Sequence, residues 1–148
     1  NAENTGAGAN LDALVIEPYA NPFRVYPLVE DYEKFKALFD KNVDCYIINT
    51  GDFLGKKVTK EVSLGVIETI VDGKANFELF GGLPGMEYLP VEGYEVPDMN
   101  GEYAELIRDR MQFRLDYLKA FNDANPEHQI PQDALESIKT IERFIDVL

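Results

Sequence analysis

The stretch VDCYIINTGDFLGKKVT, residues 43–59, decides the expected fold. Residues 43–49 are β-branched and almost continuously apolar, which predicts a buried central strand. Gly51 and Gly55 mark the loop that follows, and Thr59 stands where the N-cap of a helix is expected. The order helix, buried strand, glycine loop, helix indicates an α/β fold, with a mixed sheet flanked by helices.

Hydrophobic periodicity along the chain predicts four helices, of which the last two are C-terminal. They are expected at residues 30–42, 59–73, 102–121 and 131–148. The first carries an apolar stripe of Tyr32, Phe35, Leu38 and Phe39, and the last a stripe of Leu135, Ile138, Ile141, Ile145 and Leu148. We expect these stripes to pack on the chain's own core, and docking of the last stripe on a partner or on the parent chain stays open as the alternative. A short strand is expected at 11–16, an extended segment at 21–27, and a Gly/Pro-rich excursion without helix at 74–97.

The length of 148 residues fits one domain, which we place at residues 11–148. Residues 1–10 are rich in Gly, Ala and Asn and are expected to form a flexible lead-in. The opening Asn1-Ala2, with no basic region and apolar run behind it, is typical of a protease-cleavage scar left by recombinant expression. We therefore expect the chain to be a fragment of a longer protein.

Composition excludes several classes of function. The chain has 14 Lys and Arg residues against 27 Asp and Glu residues, a formal net charge of −13, which disfavours nucleic-acid and anionic-membrane partners. No apolar run approaches the ~20 residues of a membrane span. A single cysteine, Cys45, and a single histidine, His128, exclude an internal disulfide, a cysteine-rich metal cluster and a His-rich zinc site. These features favour a cytoplasmic location and leave the oligomeric state open.

The segment from Tyr46 to Ser63 is the one that could carry chemistry. A strand, a glycine loop, two lysines (Lys56 and Lys57) and a helix N-terminus together favour anion binding. The segment is not a P-loop, because three residues rather than four separate its glycines and Lys57 stands where Ser or Thr should bind magnesium. An ordinary strand-to-helix turn with solvated lysines stays open as the alternative.

The remaining reactive or turn-rich residues are expected to be structural. Cys45 lies in the apolar run and is predicted to be a buried, inert thiol. His128 is predicted to face solvent, and the carboxylates of α-helical surfaces (Asp109, Asp116, Glu102 and Glu105) to be solvated. Residues 81–85 are predicted to be a structural loop, because they match no phosphate-binding pattern.

Several short motifs, in order, resemble the C-terminal part of ATP-dependent phosphoenolpyruvate carboxykinase. Ile47 to Gly51 followed by Gly55 to Thr59 is similar to the family's apolar strand ending in Asn-Thr-Gly and its later Gly-Lys-Arg-Ile-Ser. Similar matches occur at residues 22–27, 72–74, 80–85 and 118–121. The resemblance covers roughly residues 17–122, and residues 125–148 look like an extension.

The resemblance implies a parent enzyme that converts oxaloacetate and ATP to phosphoenolpyruvate, carbon dioxide and ADP. In that family the P-loop, the Mg²⁺ and Mn²⁺ ligands and the oxaloacetate-binding arginine lie upstream, so no catalytic or metal-binding residue is assigned here. The positions that match adenosine contacts are Lys57, Val58 and Ser63. The chain departs from the family at Asp52, in place of an aromatic residue, and at Leu64, in place of an arginine.

Three hypotheses follow from the sequence. The leading one is a carboxykinase C-terminal domain that completes the adenosine site, is inactive alone, and has the nucleotide and the rest of the parent chain as partners. The second is an acidic interaction or regulatory domain of a carboxykinase-like protein that has lost nucleotide binding. The third is a freestanding anion-binding α/β protein, which depends only on the loop and its two lysines.

Overall fold

A computed structural model describes residues 2–3, 14–21 and 23–146 of the chain. The helices within these residues are α1 (Leu28–Phe39), α2 (Lys60–Val71), α3 (Gly101–Ala124) and α4 (Gln132–Ile145), with a 3₁₀ turn at Pro18–Ala20. The strands are β1 (Ala2–Glu3), β2 (Leu14–Val15), β3 (Asp52–Phe53), β4 (Lys56–Lys57), β5 (Glu78–Leu79) and β6 (Glu87–Tyr88). They form three antiparallel pairs, β1–β2, β3–β4 and β5–β6. The chain therefore mixes α and β structure as expected. Most of the predicted lead-in, residues 1 and 4–10, lies outside the described residues.

The predicted central strand is wrong. Residues 43–50 belong to no strand, and the largest sheet among the described residues has two strands. Ile47 is fully exposed. Cys45 is also exposed, whereas the sequence predicted a buried thiol. An apolar run becomes a buried strand only where other strands and helices cover it, and none of the described elements covers this one.

Local signals place the helices well. The Thr59 hydroxyl accepts a hydrogen bond from the Val62 amide at 3.4 Å, which makes Thr59 the predicted N-cap of α2. At the other end Gly73 has φ +67° and Lys74 N donates to Thr69 O at 3.0 Å, which is a Schellman closure. The first helix ends earlier than predicted because Asn42, at φ +55°, closes it in the same way.

The chain divides into two compact units. Unit 1 comprises residues 1–44 and 108–142, and unit 2 comprises residues 45–107 and 143–148. A buried cluster of Leu28, Leu115, Ile130 and Leu135 forms the core of unit 1. Ile138 packs against this cluster, so the apolar stripe of α4 contributes to the chain's own core as predicted. Leu148, the last member of that stripe, lies outside the described residues.

A polar network accompanies this core in unit 1. Arg24 Nε donates to Asp31 Oδ2 at 2.7 Å, and the Tyr26 hydroxyl donates to Asp31 Oδ1 at 2.7 Å. Hydrogen bonds, the larger from Arg24 and the smaller from Tyr26, hold the pKa of the Asp31 carboxyl below its usual value.

The apolar stripe of α1 is only partly covered. Phe35 and Phe39 are exposed, contrary to the expectation that they belong to the core.

Unit 2 buries few apolar side chains. Those that are buried among its described residues are Val58, Leu83 and Ile145, whereas no residue of α2 is buried. Residues 74–97 contain no helix, as predicted, and Leu83 fills the turn between β5 and β6. The loop at residues 81–85 therefore contributes a buried side chain to the packing of unit 2. None of the described helices of either unit is long and apolar enough to cross a membrane.

Candidate functional site

The candidate site begins with a turn held by Asn49. Its side-chain oxygen accepts from the Gly51 amide at 2.9 Å, and its Nδ2 donates to Asp52 O at 3.1 Å. An asparagine that bonds the backbone two residues on closes an Asx turn, which explains an Asn at the start of this loop. Val58 N donates to Gly51 O at 2.9 Å and ties the turn to the end of β4.

A two-residue hairpin follows the turn. Leu54 and Gly55 connect β3 to β4 at φ +49° and +78°, the positive values that a type I′ hairpin turn requires at both central residues. The register sets Asp52 opposite Lys57 and Phe53 opposite Lys56. Side chains of directly opposite residues share one face of a strand pair, so a carboxylate and an ammonium group are neighbours on the Asp52 face.

The two lysines have different environments. Lys56 Nζ lies 2.5 Å from Gly93 O and 4.4 Å from the centroid of the Tyr94 ring. Both lysines are exposed, but the Lys56 ammonium group contacts Gly93 and the Tyr94 ring within unit 2. The sequence predicted a positive patch formed by both residues, and in the structure the Lys56 member of that patch is engaged with the loop at residues 93–94.

Several amides at the N-terminus of α2 already have partners. Val62 N donates to the Thr59 hydroxyl, and Ser63 N donates to Thr59 O at 3.0 Å. Hydrogen bonds from its own backbone N–H and from Thr59 lower the pKa of the Glu61 carboxyl, so this carboxylate occupies the positive end of the helix. A free phosphate would have to displace it. The geometry therefore disfavours a phosphate cradle.

The three predicted contact residues lie in one segment but differ in accessibility. Lys57 is exposed, Ser63 is half-buried, and Val58 is only 9% exposed. Ser63 Oγ donates to Thr59 O at 3.2 Å, which leaves its oxygen lone pairs available to accept. Leu64, one of the departures from the family pattern, is 53% exposed.

Sequence reasoning missed the loop that contacts the hairpin. The Tyr94 hydroxyl donates to Lys57 O at 2.7 Å, and Gly93 N donates to Glu95 Oε1 at 2.8 Å. The pKa of Glu95 is lowered by hydrogen bonds from its own amide and from Gly93, with a smaller contribution from Lys56. The hairpin and this loop are 37 residues apart in sequence. The Gly-Tyr pair signals a turn but not what the turn contacts.

Unit 1 contains a separate open concavity of about 290 Å³. Its lining includes Arg24, Tyr26, Leu28, Phe121 and His128. His128 is exposed, as predicted. Arg24 is already ion-paired with Asp31 at 2.7 Å and lies 3.7 Å from Glu17, so its positive charge is compensated.

Comparisons with known proteins identify no relative of this chain. No protein-family model matches the chain, no curated protein matches its sequence, and no solved structure matches its fold. In the part of the chain that the structure describes, no group of three or more His, Cys, Asp or Glu side chains could hold a metal ion. The local geometry of residues 49–63, with the loop at 93–95, is therefore the basis for assigning a function.

Proposed function

We propose that this chain is the C-terminal part of an ATP-dependent phosphoenolpyruvate carboxykinase or a close relative, and that it forms one wall of the adenosine site. The observation that carries the proposal is the exposed Lys57 in β4, two residues before the N-cap of α2. The Asn49 turn, the hairpin and the capped helix follow one another in the order of the family's Asn-Thr-Gly and Gly-Lys-Arg-Ile-Ser motifs.

The site favours the adenosine portion of the nucleotide over its phosphates. Lys56 is engaged with Gly93 and Tyr94, and Glu61 occupies the end of α2. Lys57 and Ser63 remain to contact a nucleotide, while Val58 is only 9% exposed. The phosphates, with Mg²⁺ and Mn²⁺, would be held by the rest of the parent chain. Phosphoryl transfer needs those groups, so this chain is inactive alone.

The larger fold follows from the same proposal. In the parent, the fold that the family resemblance implies, a mixed sheet flanked by helices, would be completed by the parent's other part, which would cover the apolar side chains of residues 43–49. The exposure of Ile47 and of the apolar α2 residues Leu64 and Val71 supports this placement, because such side chains are usually covered in the complete protein. Closure of this domain over the substrate would shield the enolate formed from oxaloacetate against protonation by water.

One observation favours the second hypothesis, an acidic interaction or regulatory domain without nucleotide binding. Asp52 lies directly across the strand pair from Lys57 and offsets its charge. The exposed residues of α2 would then contact a protein partner rather than complete an enzyme.

Titration of the chain with ATP, followed residue by residue by NMR, tests the proposal. We expect shifts confined to residues 51–63, with a dissociation constant of roughly a millimolar for one wall of a site. Lys57→Ala should weaken ATP binding about 2- to 5-fold, since exposed ionic contacts contribute up to ~1 kcal/mol. Lys41→Ala, which removes the same charge from an exposed position in unit 1, should change nothing.

Two outcomes would contradict the proposal: no shift in residues 51–63, or equal effects of the two lysine substitutions. In a parent enzyme, Lys57→Ala should raise KM for ATP more than KM for oxaloacetate. Two results together would favour the interaction domain instead. The chain would not bind ATP, and it would sediment as a self-associated species whose mass falls when Leu64→Ser is introduced.

A further inference from the structure

We propose that Tyr94 is a positioning residue of this site, which holds the β3–β4 hairpin so that Lys57 faces the ligand. The inference rests on the proposed function for its ligand, but its structural part can be tested without one. Under this proposal Tyr94 itself does not contact the nucleotide. It acts through the backbone of Lys57 and through the side chains that flank it.

The contacts of Tyr94 reach both strands of the hairpin. Its hydroxyl donates to Lys57 O at 2.7 Å, and its ring receives the Lys56 ammonium group at 4.4 Å. The edge of the ring meets Phe53 of β3, with centroids 6.3 Å apart and planes at 66°. One side chain therefore fixes β3 relative to β4 as well as the loop relative to the hairpin.

The loop that carries Tyr94 is itself closed. Tyr94 N donates to Val91 O at 3.0 Å, and the Gly93 amide donates to Glu95 Oε1 at 2.8 Å. Gly93 has φ +77°, and a Cβ atom there would lie 2.8 Å from Lys56 Nζ. Glycine thus permits both the turn and the close approach of the lysine. Tyr94 is anchored on a turn with defined geometry.

The hairpin needs such an anchor. Each of its strands has two residues, and an isolated two-stranded hairpin is marginally stable in water. Its turn also holds Leu54, a side-chain-bearing residue, at φ +49°. Without Tyr94 the hairpin would sample other conformations, and Lys57 would lose its fixed direction toward the ligand.

The experiment combines Tyr94→Phe, which removes the hydroxyl alone, with Tyr94→Leu, which also removes the ring. The matched control is Tyr88→Phe, because the Tyr88 hydroxyl contacts Glu78 at 3.3 Å in the other hairpin of unit 2. The first readout is hydrogen exchange of the Val58 amide, which closes the hairpin through Gly51 O. The second is the dissociation constant for ATP, measured by the NMR titration described above.

We expect Tyr94→Phe to accelerate exchange at Val58 about 3- to 10-fold, as loss of one hydrogen bond predicts, and Tyr94→Leu to accelerate it further. ATP binding should weaken about 2- to 5-fold in Tyr94→Phe. In a Lys57→Ala background the same substitution should cause no further loss, because both changes remove one effect. A merely structural tyrosine would weaken binding equally in both backgrounds. Exchange of the Leu115 amide in unit 1 reports whether the whole chain has been destabilised.

The results separate the inference from the proposed function. Unchanged Val58 exchange in Tyr94→Phe, or an equal effect of Tyr88→Phe, would overturn the positioning role whether or not ATP binds. Accelerated exchange confined to residues 51–58, in a chain that does not bind ATP, would overturn the proposed function and leave Tyr94 as the residue that orients Lys57. Full agreement requires faster exchange, weaker ATP binding and non-additivity with Lys57→Ala.

Discussion

In unit 1, side chains from α1, α3 and α4 meet in a cluster whose members Leu28, Leu115, Ile130 and Leu135 are each 5% exposed or less. In unit 2, by contrast, none of the residues of α2 is buried. Both regions have amphipathic or apolar helices, so composition does not account for the difference. What differs is whether another described element covers the apolar face.

Unit 2 is held by turns, by polar contacts between distant loops and by aromatic pairs such as Phe53 with Tyr94. The Asn49 turn, the Lys56–Gly93 contact and the Tyr94–Lys57 hydrogen bond all constrain its backbone. Gly81 shows how closely such turns are packed, because a Cβ atom there would lie 2.7 Å from Met99. A region of this kind has less hydrophobic stabilisation of its own than unit 1 has.

The largest expected effect comes from truncating the unit 1 core. Leu115→Ala removes a side chain that is 3% exposed and should lower the free energy of unfolding by about 2–4 kcal/mol. Leu64→Ala makes the same chemical change on α2, where Leu64 is 53% exposed, and should cost less than about 1 kcal/mol. Urea unfolding of both variants measures the contrast. Equal losses would show that unit 2 depends on a covered α2 face after all.

A smaller effect is expected at the polar network of unit 1. The Asp31 side chain is 8% exposed, and Asp31→Asn replaces its carboxylate with a neutral amide beside Arg24 Nε. This substitution should lower the free energy of unfolding by about 1–3 kcal/mol at neutral pH. Because folding lowers the pKa of Asp31, its contribution is present above the ordinary carboxyl pKa of about 3.9 and is lost as pH falls below it.

Urea unfolding between neutral and acidic pH checks this prediction for Asp31. The Asp31→Asn chain should lose less stability on acidification than the parent sequence, whereas Asp109→Asn, on an exposed position of α3, should follow the parent. Parallel acid profiles for the parent and Asp31→Asn would mean that the Arg24–Asp31 pair contributes little to unit 1.

Sequence reasoning succeeded where structure is decided within a few residues. The Thr59 cap and the Gly73 closure define α2 through contacts three to five positions apart, and the apolar repeat of α4 predicted side chains that enter the core, including Leu135 and Ile138. These are properties of helix periodicity and of unpaired backbone groups at helix ends.

Sequence reasoning failed where structure depends on distant parts of the chain. Residues 43–49 have the composition of a buried strand, but burial requires partners, and the described residues supply no sheet for them. Lys56 and Lys57 are identical and adjacent in sequence. Hairpin register and Tyr94, 37 residues away, give them different environments. Periodicity carries no information on either point.

The smallest effect, and the sharpest probe of the turn chemistry in unit 2, is expected at the tip of the hairpin. Leu54 has φ +49° and is 66% exposed, so its side chain gains little from packing while its backbone is in the left-handed region. Asn tolerates that region and is favoured before Gly in type I′ turns. Leu54→Asn should therefore stabilise the chain by about 0.5–1 kcal/mol in urea unfolding.

Leu54→Ala separates backbone conformation from the loss of an exposed apolar side chain. Alanine keeps the unfavourable left-handed conformation, so it should give no stabilisation, whereas Leu54→Gly should approach the gain of Leu54→Asn only in part, because glycine also increases the entropy of the unfolded chain. If Ala stabilised the chain as much as Asn did, exposure of the leucine, and not its φ, would limit the stability of the hairpin. If instead Asn slowed exchange at Val58 as well, the hairpin would be stabilised locally, at the strand that carries Lys57.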